Sequence, residues 1–161
     1  MKKKTFNYFS LFSLLLMLFA VSINAQEVDA ANKADSEQAS EESAAVDPLK
    51  NSAEAGERWL NLLDERKYPQ SWETGSLTLK LTVPKKHWIA LMERIRKPLG
   101  SLSSRNLVDQ RPAKDPKGLP KGDYMVLLYK SSFSRNESVN ELLTLVEESD
   151  GRWRVLTYQV Q

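Results

Sequence analysis

The chain has 161 residues and a formal net charge of +2, a length that suits one compact domain with accessory segments. It contains no cysteine, which excludes a disulfide framework, a thiolate metal site, a cysteine nucleophile and a lipid-modified N-terminal cysteine. With His87 as its one histidine, it fits neither a typical zinc site nor a catalytic triad well. We therefore expect no metal and no cofactor.

The first 25 residues have the pattern of a secretory signal peptide. Lysines 2 to 4 precede an apolar run from Phe6 to Val21, and Ser22 to Ala25 ends in the small residue that leader peptidases require. We interpret residues 1–25 as a cleaved signal and predict a periplasmic protein with no membrane span. The alternative is an uncleaved inner-membrane anchor, since the apolar run approaches the roughly 20 residues of a spanning helix.

Residues 26–47 are predicted to form a disordered acidic linker. They carry seven acidic residues against one lysine and no aromatic residue, too little apolar surface to offset the entropy of ordering. The folded domain is then expected over residues 48–161, where 19 basic residues stand against 14 acidic ones. Its lysines are scattered rather than interleaved with aromatic residues, so we expect no nucleic acid among its partners.

The domain is predicted to begin with a helix from Leu49 to Arg66, where apolar residues such as Trp59 recur at helical spacing. Pro69 disfavours helical conformation at the residue before it, so this helix should end near Lys67. A short second turn carrying Trp72 should follow.

A further helix is predicted between Pro84, which suits a helix start, and Pro98 with Gly100, which end it. Thr82 is its N-cap or lies just outside it. His87 neighbours the apolar stripe and is expected at the surface or its boundary. The stripe has i, i+3, i+4, i+7 spacing and consists of Trp88, Leu91, Met92 and Ile95.

The C-terminal half is predicted to form an antiparallel meander. Its three apolar-alternating runs are Tyr124 to Phe133, Val139 to Glu147 and Arg152 to Val160, and its turns are Ser134 to Glu137 and Ser149 to Gly151. A weaker alternation from Ser101 to Arg111 predicts a first strand, followed by a loop from Pro112 to Lys121. Strict alternation in the last run would place Trp153 and Val155 on one face and Tyr158 on the other.

From about Ala53 to Gln161 the chain resembles the DUF4019 family of small secreted bacterial domains of unknown function. The matching residues are Trp59-Leu60, Asp64, Tyr68, Ser71-Trp72, Trp88, Arg96-Lys-Pro-Leu-Gly100, Arg105, Gly122-Asp-Tyr124, Phe133, Glu141, Thr144-Leu-Val146, Gly151-Arg-Trp-Arg-Val155 and Tyr158. The resemblance implies an α+β fold, with N-terminal helices packed on a curved four-stranded antiparallel sheet in an NTF2-like or cystatin-like roll. It implies no activity.

In such a roll the sheet and the helices enclose a pocket, so we searched for polar groups that face inward. The candidates are Arg96, Arg105, Glu141 and Tyr158, with Trp72 and Trp88 as possible walls. Glu141 shares a strand face with apolar residues, where a lone carboxylate is costly to bury unless it is paired. We expect it to pair with Arg96 or Arg105 and to fix a helix to the sheet. The competing interpretation makes it a proton acceptor or a ligand anchor.

These features predict an exported, non-catalytic domain that binds a small-molecule or protein ligand, or serves as an accessory domain, as a monomer or homodimer. The alternative is a small NTF2-like hydrolase or isomerase that uses a pocket carboxylate. It is disfavoured because such enzymes assemble an Asp/His or Asp/Tyr set, and the chain's one histidine lies on a helix flank.

Export is testable by mass. Protein recovered from a periplasmic extract should have the intact mass of a chain that starts at Gln26, because cleavage follows the small residue Ala25. Recovery of the full-length chain in the membrane fraction would contradict the prediction.

Overall fold

The computed structural model describes residues 47–161, which form four helices followed by four strands. The helices are α1 (Pro48–Asp64), α2 (Tyr68–Glu73), α3 (Leu77–Thr82) and α4 (Lys85–Arg96); the strands are β1 (Leu102–Lys114), β2 (Asp123–Phe133), β3 (Asn136–Glu147) and β4 (Trp153–Val160). The predicted signal peptide and all of the predicted linker before Asp47 lie outside the described residues. The α+β class is confirmed.

Helix α1 is the first predicted helix, and its start is chemically defined. The side chain of Asp47 accepts a hydrogen bond from the amide of Leu49 at 2.9 Å, and Pro48 occupies the first turn, where a missing amide proton costs nothing. The helix buries Trp59, Leu60 and Leu63 against the sheet. The expected short turn after it is helix α2, which carries a proline in its first turn.

Helix α3 was not predicted. Ser76 caps it by accepting a hydrogen bond from the amide of Leu79 at 3.1 Å, and Leu79 is its buried residue. The backbone amide of Ser76 also donates to the carbonyl of Val155 at 2.9 Å, which ties the helix to strand β4. Thr82 is the last residue of α3, so it lies outside α4, whose N-cap is Pro84.

The sheet confirms the predicted meander. Its strand order is β1-β2-β3-β4, and each neighbouring pair is antiparallel. Strand β1 is longer than predicted, because it continues through Pro112, which pairs with Met125, instead of entering a loop there. A proline is tolerated because β1 is an edge strand with one side unpaired. Strand β3 begins at Asn136, so the predicted four-residue turn is shorter by two residues.

A bulge corrects the predicted faces of strand β4. Between Thr144 and Leu145 the register with β4 shifts by one residue, so the regular alternation is interrupted. As a result Trp153, Val155 and Tyr158 all join the same core, and the expectation that Tyr158 faces away from Trp153 is wrong.

The core lies between the helices and one face of the sheet. Its fully buried side chains include Leu60, Trp88, Met92, Leu127 and Leu143. His87, next to Trp88 in sequence, is exposed as predicted. Among the helices of residues 47–161, none combines the length and the apolar content needed to cross a bilayer.

The two neighbours on α4 provide a matched test of this packing. Trp88→Ala should lower the free energy of unfolding by about 3–5 kcal/mol, because it empties a fully buried aromatic site. His87→Ala should lower it by less than about 0.5 kcal/mol. Urea unfolding measures both, and equal losses would show that the helix presents a different face to the core.

Candidate functional site

A buried cluster of charged and hydroxyl groups lies where six of the described elements meet. Its members are Asp64 of α1, Arg96 of α4, Arg105 of β1, Ser131 of β2, Glu141 of β3 and Tyr158 of β4. Two guanidinium groups face two carboxylates, so the formal charges within the cluster balance. Four of the six predicted site residues therefore come together here.

Glu141 lies at the centre of the cluster and has no exposed surface. Its Oε1 accepts hydrogen bonds from Arg96 Nη1 at 2.6 Å, Tyr158 Oη at 2.6 Å and Arg105 Nη2 at 3.2 Å. Its Oε2 accepts from Arg105 Nε at 2.7 Å and from the hydroxyl of Ser131. Both oxygens are therefore fully engaged with protein donors.

Asp64 is the second carboxylate, and it was not among the site residues predicted from the sequence. Arg105 donates to it from Nη1 at 2.7 Å and from Nη2 at 3.0 Å, and Arg96 donates from Nη2. Each arginine thus bridges the two carboxylates. Asp64 is the last residue of α1, where the sequence pattern gives no sign of burial. Its presence among the family-matching residues was the signal that could have identified it as a site residue. Ser131 carried no comparable signal.

The electrostatics hold the cluster in its charged state. Burial favours protonation of Glu141, but hydrogen bonds from Arg105, Ser131 and Tyr158 and the charge of Arg105 outweigh it, so the pKa of Glu141 lies below its usual value. Burial, together with the charge of Glu141, raises the pKa of Tyr158 well above its usual value. The tyrosine therefore keeps its proton and donates a hydrogen bond to the carboxylate.

The predicted pocket walls lie elsewhere. Trp88 is fully buried, donates from Nε1 to the hydroxyl of Ser71 at 3.0 Å and packs against the ring of Trp59 at 5.9 Å. Trp72 donates from Nε1 to the carbonyl of Val83 at 2.7 Å, and its ring lies 6.0 Å from Lys85 Nζ. Their polar contacts are local, and neither hydrogen-bonds to the charged cluster.

A surface cleft of about 810 Å³ opens away from the cluster, between α1 and the start of β4. Its lining includes Asn51, Arg58 and Trp59 on the helical side, Lys80 from α3, and Arg152 and Trp153 on the strand side. None of the cluster residues lines it. Within residues 47–161, no group of three or more histidine, aspartate or glutamate residues is arranged to hold a metal ion.

Comparison with protein families matches residues 55–158 to a family described as a protein of unknown function, DUF4019. The chain belongs to the DUF4019 family. The match covers every member of the buried cluster, and Tyr158 is its last residue. No curated protein matches the sequence. Among solved structures the chain is similar to a protein from Catenulispora acidiphila, with 12% identity and a TM-score of 0.45, covering 70% of this chain and 88% of the other.

The DUF4019 motif Arg96-Lys-Pro-Leu-Gly100 has a structural explanation in this chain. Arg96 enters the cluster as α4 ends, and Leu99 packs in a second small core with Phe133 and Val139. Gly100 has φ +86°, and a Cβ there would lie 2.2 Å from the hydroxyl of Ser134. The motif therefore turns the chain tightly from α4 into β1, so that both arginines reach the same carboxylates.

The lowered pKa of Glu141 predicts a pH dependence of stability. Its ionised form stabilises the fold above the unfolded glutamate value of about 4.3, and this contribution is lost as pH falls through the lower folded value. The free energy of unfolding in urea should fall less between about pH 6 and about pH 3 in Glu141→Gln than in the wild type. The exposed Glu137→Gln is the control and should keep the wild-type profile. Matching profiles for all three proteins would contradict the prediction.

Proposed function

We propose that this protein is an exported, non-catalytic binding or accessory domain with an NTF2-like or cystatin-like roll, and that Glu141 does no chemistry. The observation that carries the proposal is the closed hydrogen-bond network around this carboxylate. Five donor contacts occupy its two oxygens, and no part of its surface reaches solvent. The network is built to hold elements together rather than to hold a substrate.

A catalytic carboxylate needs properties that this one lacks. A general base must reach the proton that it abstracts and must exchange protons near the working pH. Arg105, Ser131 and Tyr158 hold the pKa of Glu141 below its usual value, and the space around the carboxylate is filled by Tyr158, Ser131 and the guanidinium groups. The enzyme alternative, a small hydrolase or isomerase, would require this network to open.

Export rests on the sequence alone. The lysines, the apolar run and the small residue at Ala25 support a signal peptide, and a periplasmic location follows from its cleavage. An exported accessory domain would then bind a protein or a small molecule through its surface, as a monomer or a homodimer.

A double-mutant cycle tests the structural role of Glu141. Glu141→Gln should lower the free energy of unfolding by about 3–5 kcal/mol, because it leaves two buried arginines facing the single charge of Asp64. Adding Arg105→Gln restores the charge balance. The double variant should therefore lose less free energy of unfolding than the two single variants lose in sum, by more than about 1 kcal/mol. Arg105 is the better partner, because Arg96 also donates to Tyr158 and stacks on Phe133.

The exposed pair Lys114 and Asp123 is the matched control. Its two hydrogen bonds are both 2.7 Å, as short as those in the cluster, but both side chains are largely in water. The same cycle there should give a much smaller coupling than the cluster does, because water screens the exposed charges. If Glu141→Gln instead left stability unchanged or raised it, the carboxylate would be a strained functional group and the proposal would fail.

A further inference from the structure

The cleft beside α1 combines loosely held cations with apolar residues in its lining. Trp59 and Trp153 lie in its lining, with Ala55 and Leu62 on the helical wall. Ala55 and Leu62 are partly exposed and supply apolar surface that a ligand can cover, whereas Trp59 and Trp153 are buried and form the floor beneath it.

Two arginines of the cleft have weak ion pairs. The side chain of Arg58 is 68% exposed, and the salt bridge that it makes within residues 47–161, to Glu54, is 3.4 Å long. That of Arg152 is 77% exposed and lies 4.0 Å from Asp150. By contrast Arg154, also in the lining, is held at 2.8 Å by Glu148 and at 2.6 Å by Asp150. Arg58 and Arg152 can therefore turn to an incoming anion without breaking a strong contact.

A third cation, Lys80, completes the set. Its ammonium group donates to the backbone carbonyl of Glu73 at 3.1 Å and has two further donors. Glu73, the one acidic residue in the lining, is itself neutralised by Lys85. The cleft thus presents positive charge from α1, from α3 and from the hairpin before β4. Because these charges stand on separate walls, they suit a ligand with several separated carboxylates better than one compact anion.

The shape of the cleft favours an extended peptide. Its helical wall runs from Asn51 to Leu62, about 16 Å at the rise of an α-helix. About five residues of extended chain span that distance. Ser76 already donates to the carbonyl of Val155, so part of the free edge of β4 is occupied. A peptide here would be recognised through its side chains rather than by adding a strand to the sheet.

We infer that this cleft binds an acidic, extended peptide segment of a partner protein, with an apolar residue against Ala55 and Leu62 and carboxylates on Arg58, Arg152 and Lys80. The inference rests on the proposed binding function and names the surface and the chemistry of the ligand. The loose cations and the length of the helical wall carry it.

Fluorescence anisotropy provides the test, with a fluorescein-labelled peptide of sequence Glu-Glu-Leu-Glu-Glu added to the purified chain. Arg58→Ala with Arg152→Ala should weaken binding about tenfold, since both partners are solvent-accessible charges. The variant should unfold at the wild-type temperature, because both side chains are exposed. The matched control is Arg94→Ala with Arg135→Ala, two exposed arginines outside the cleft lining, which should change binding less than about twofold.

Further probes separate the peptide from other anions. The same peptide with glutamine or lysine in place of glutamate should bind far more weakly, and free glutarate should compete poorly because it lacks an extended backbone. The indole N–H signal of Trp153 should shift on binding in an NMR spectrum, whereas that of Trp72, outside the lining, should not. Binding of glutarate as tight as that of the peptide would overturn the inference in favour of a small dicarboxylate.

Three other results would also overturn it. The first is no binding of the acidic peptide at about 1 mM protein and low salt, where charge attraction is least screened. The second is equal weakening of binding by the two pairs of arginine substitutions. The third is unchanged binding in the cleft variant. Failure here is distinguishable from failure of the proposed function. The double-mutant cycle at Glu141 measures only stability and tests whether that carboxylate has a structural role. It does not involve Arg58 or Arg152.

Discussion

The structure depends on bringing four charged side chains into the protein interior at once. Moving an ion out of water costs several kcal/mol even after relaxation, so neither arginine of the cluster could be buried without its carboxylates. Arg96 and Arg105 each bridge Asp64 and Glu141, and this arrangement satisfies charge and hydrogen bonding together. Since the six cluster residues come from six different elements, the requirement fixes the position of α1 and α4 on the sheet more specifically than apolar packing does.

The hydrogen bonds of the cluster support the proposal that Glu141 does no chemistry. A buried glutamate on an apolar strand face is a familiar sign of an active site, because desolvation perturbs its pKa. Here the charge of Arg105 and the hydrogen bonds from Arg105, Ser131 and Tyr158 outweigh desolvation and lower the pKa of Glu141. Charge partners therefore decide the interpretation, and burial by itself does not.

Much of the fold could be predicted from the sequence because its signals are local. Pro84 marks a helix start, Pro69 and Pro98 mark helix ends, and two-residue periodicity marks the strands. Helix α3 was missed because Leu77 to Thr82 alternates like a strand, and its helical state depends on the cap by Ser76 and on the contact with Val155. The faces of β4 were misassigned because a bulge is set by cross-strand pairing, which leaves no local mark. In the cluster, Glu141 and the arginines were recognisable from strand pattern and motif, whereas Asp64 joins through three-dimensional proximity.

The cluster and the cleft are physically linked through Trp59. Its ring lies 5.7 Å from that of Tyr158, whose hydroxyl donates to Glu141, and the same tryptophan contributes to the lining of the cleft. Asp64, at the end of α1, ties that helix to both arginines, so the wall that carries Arg58 is anchored about two turns away. A rigid interior therefore positions an adaptable surface. In the proposed binding mode, the long arginines at the rim move toward the partner while the indole beneath them stays in place. The entropy lost on binding is then limited to the side chains that make the new contacts.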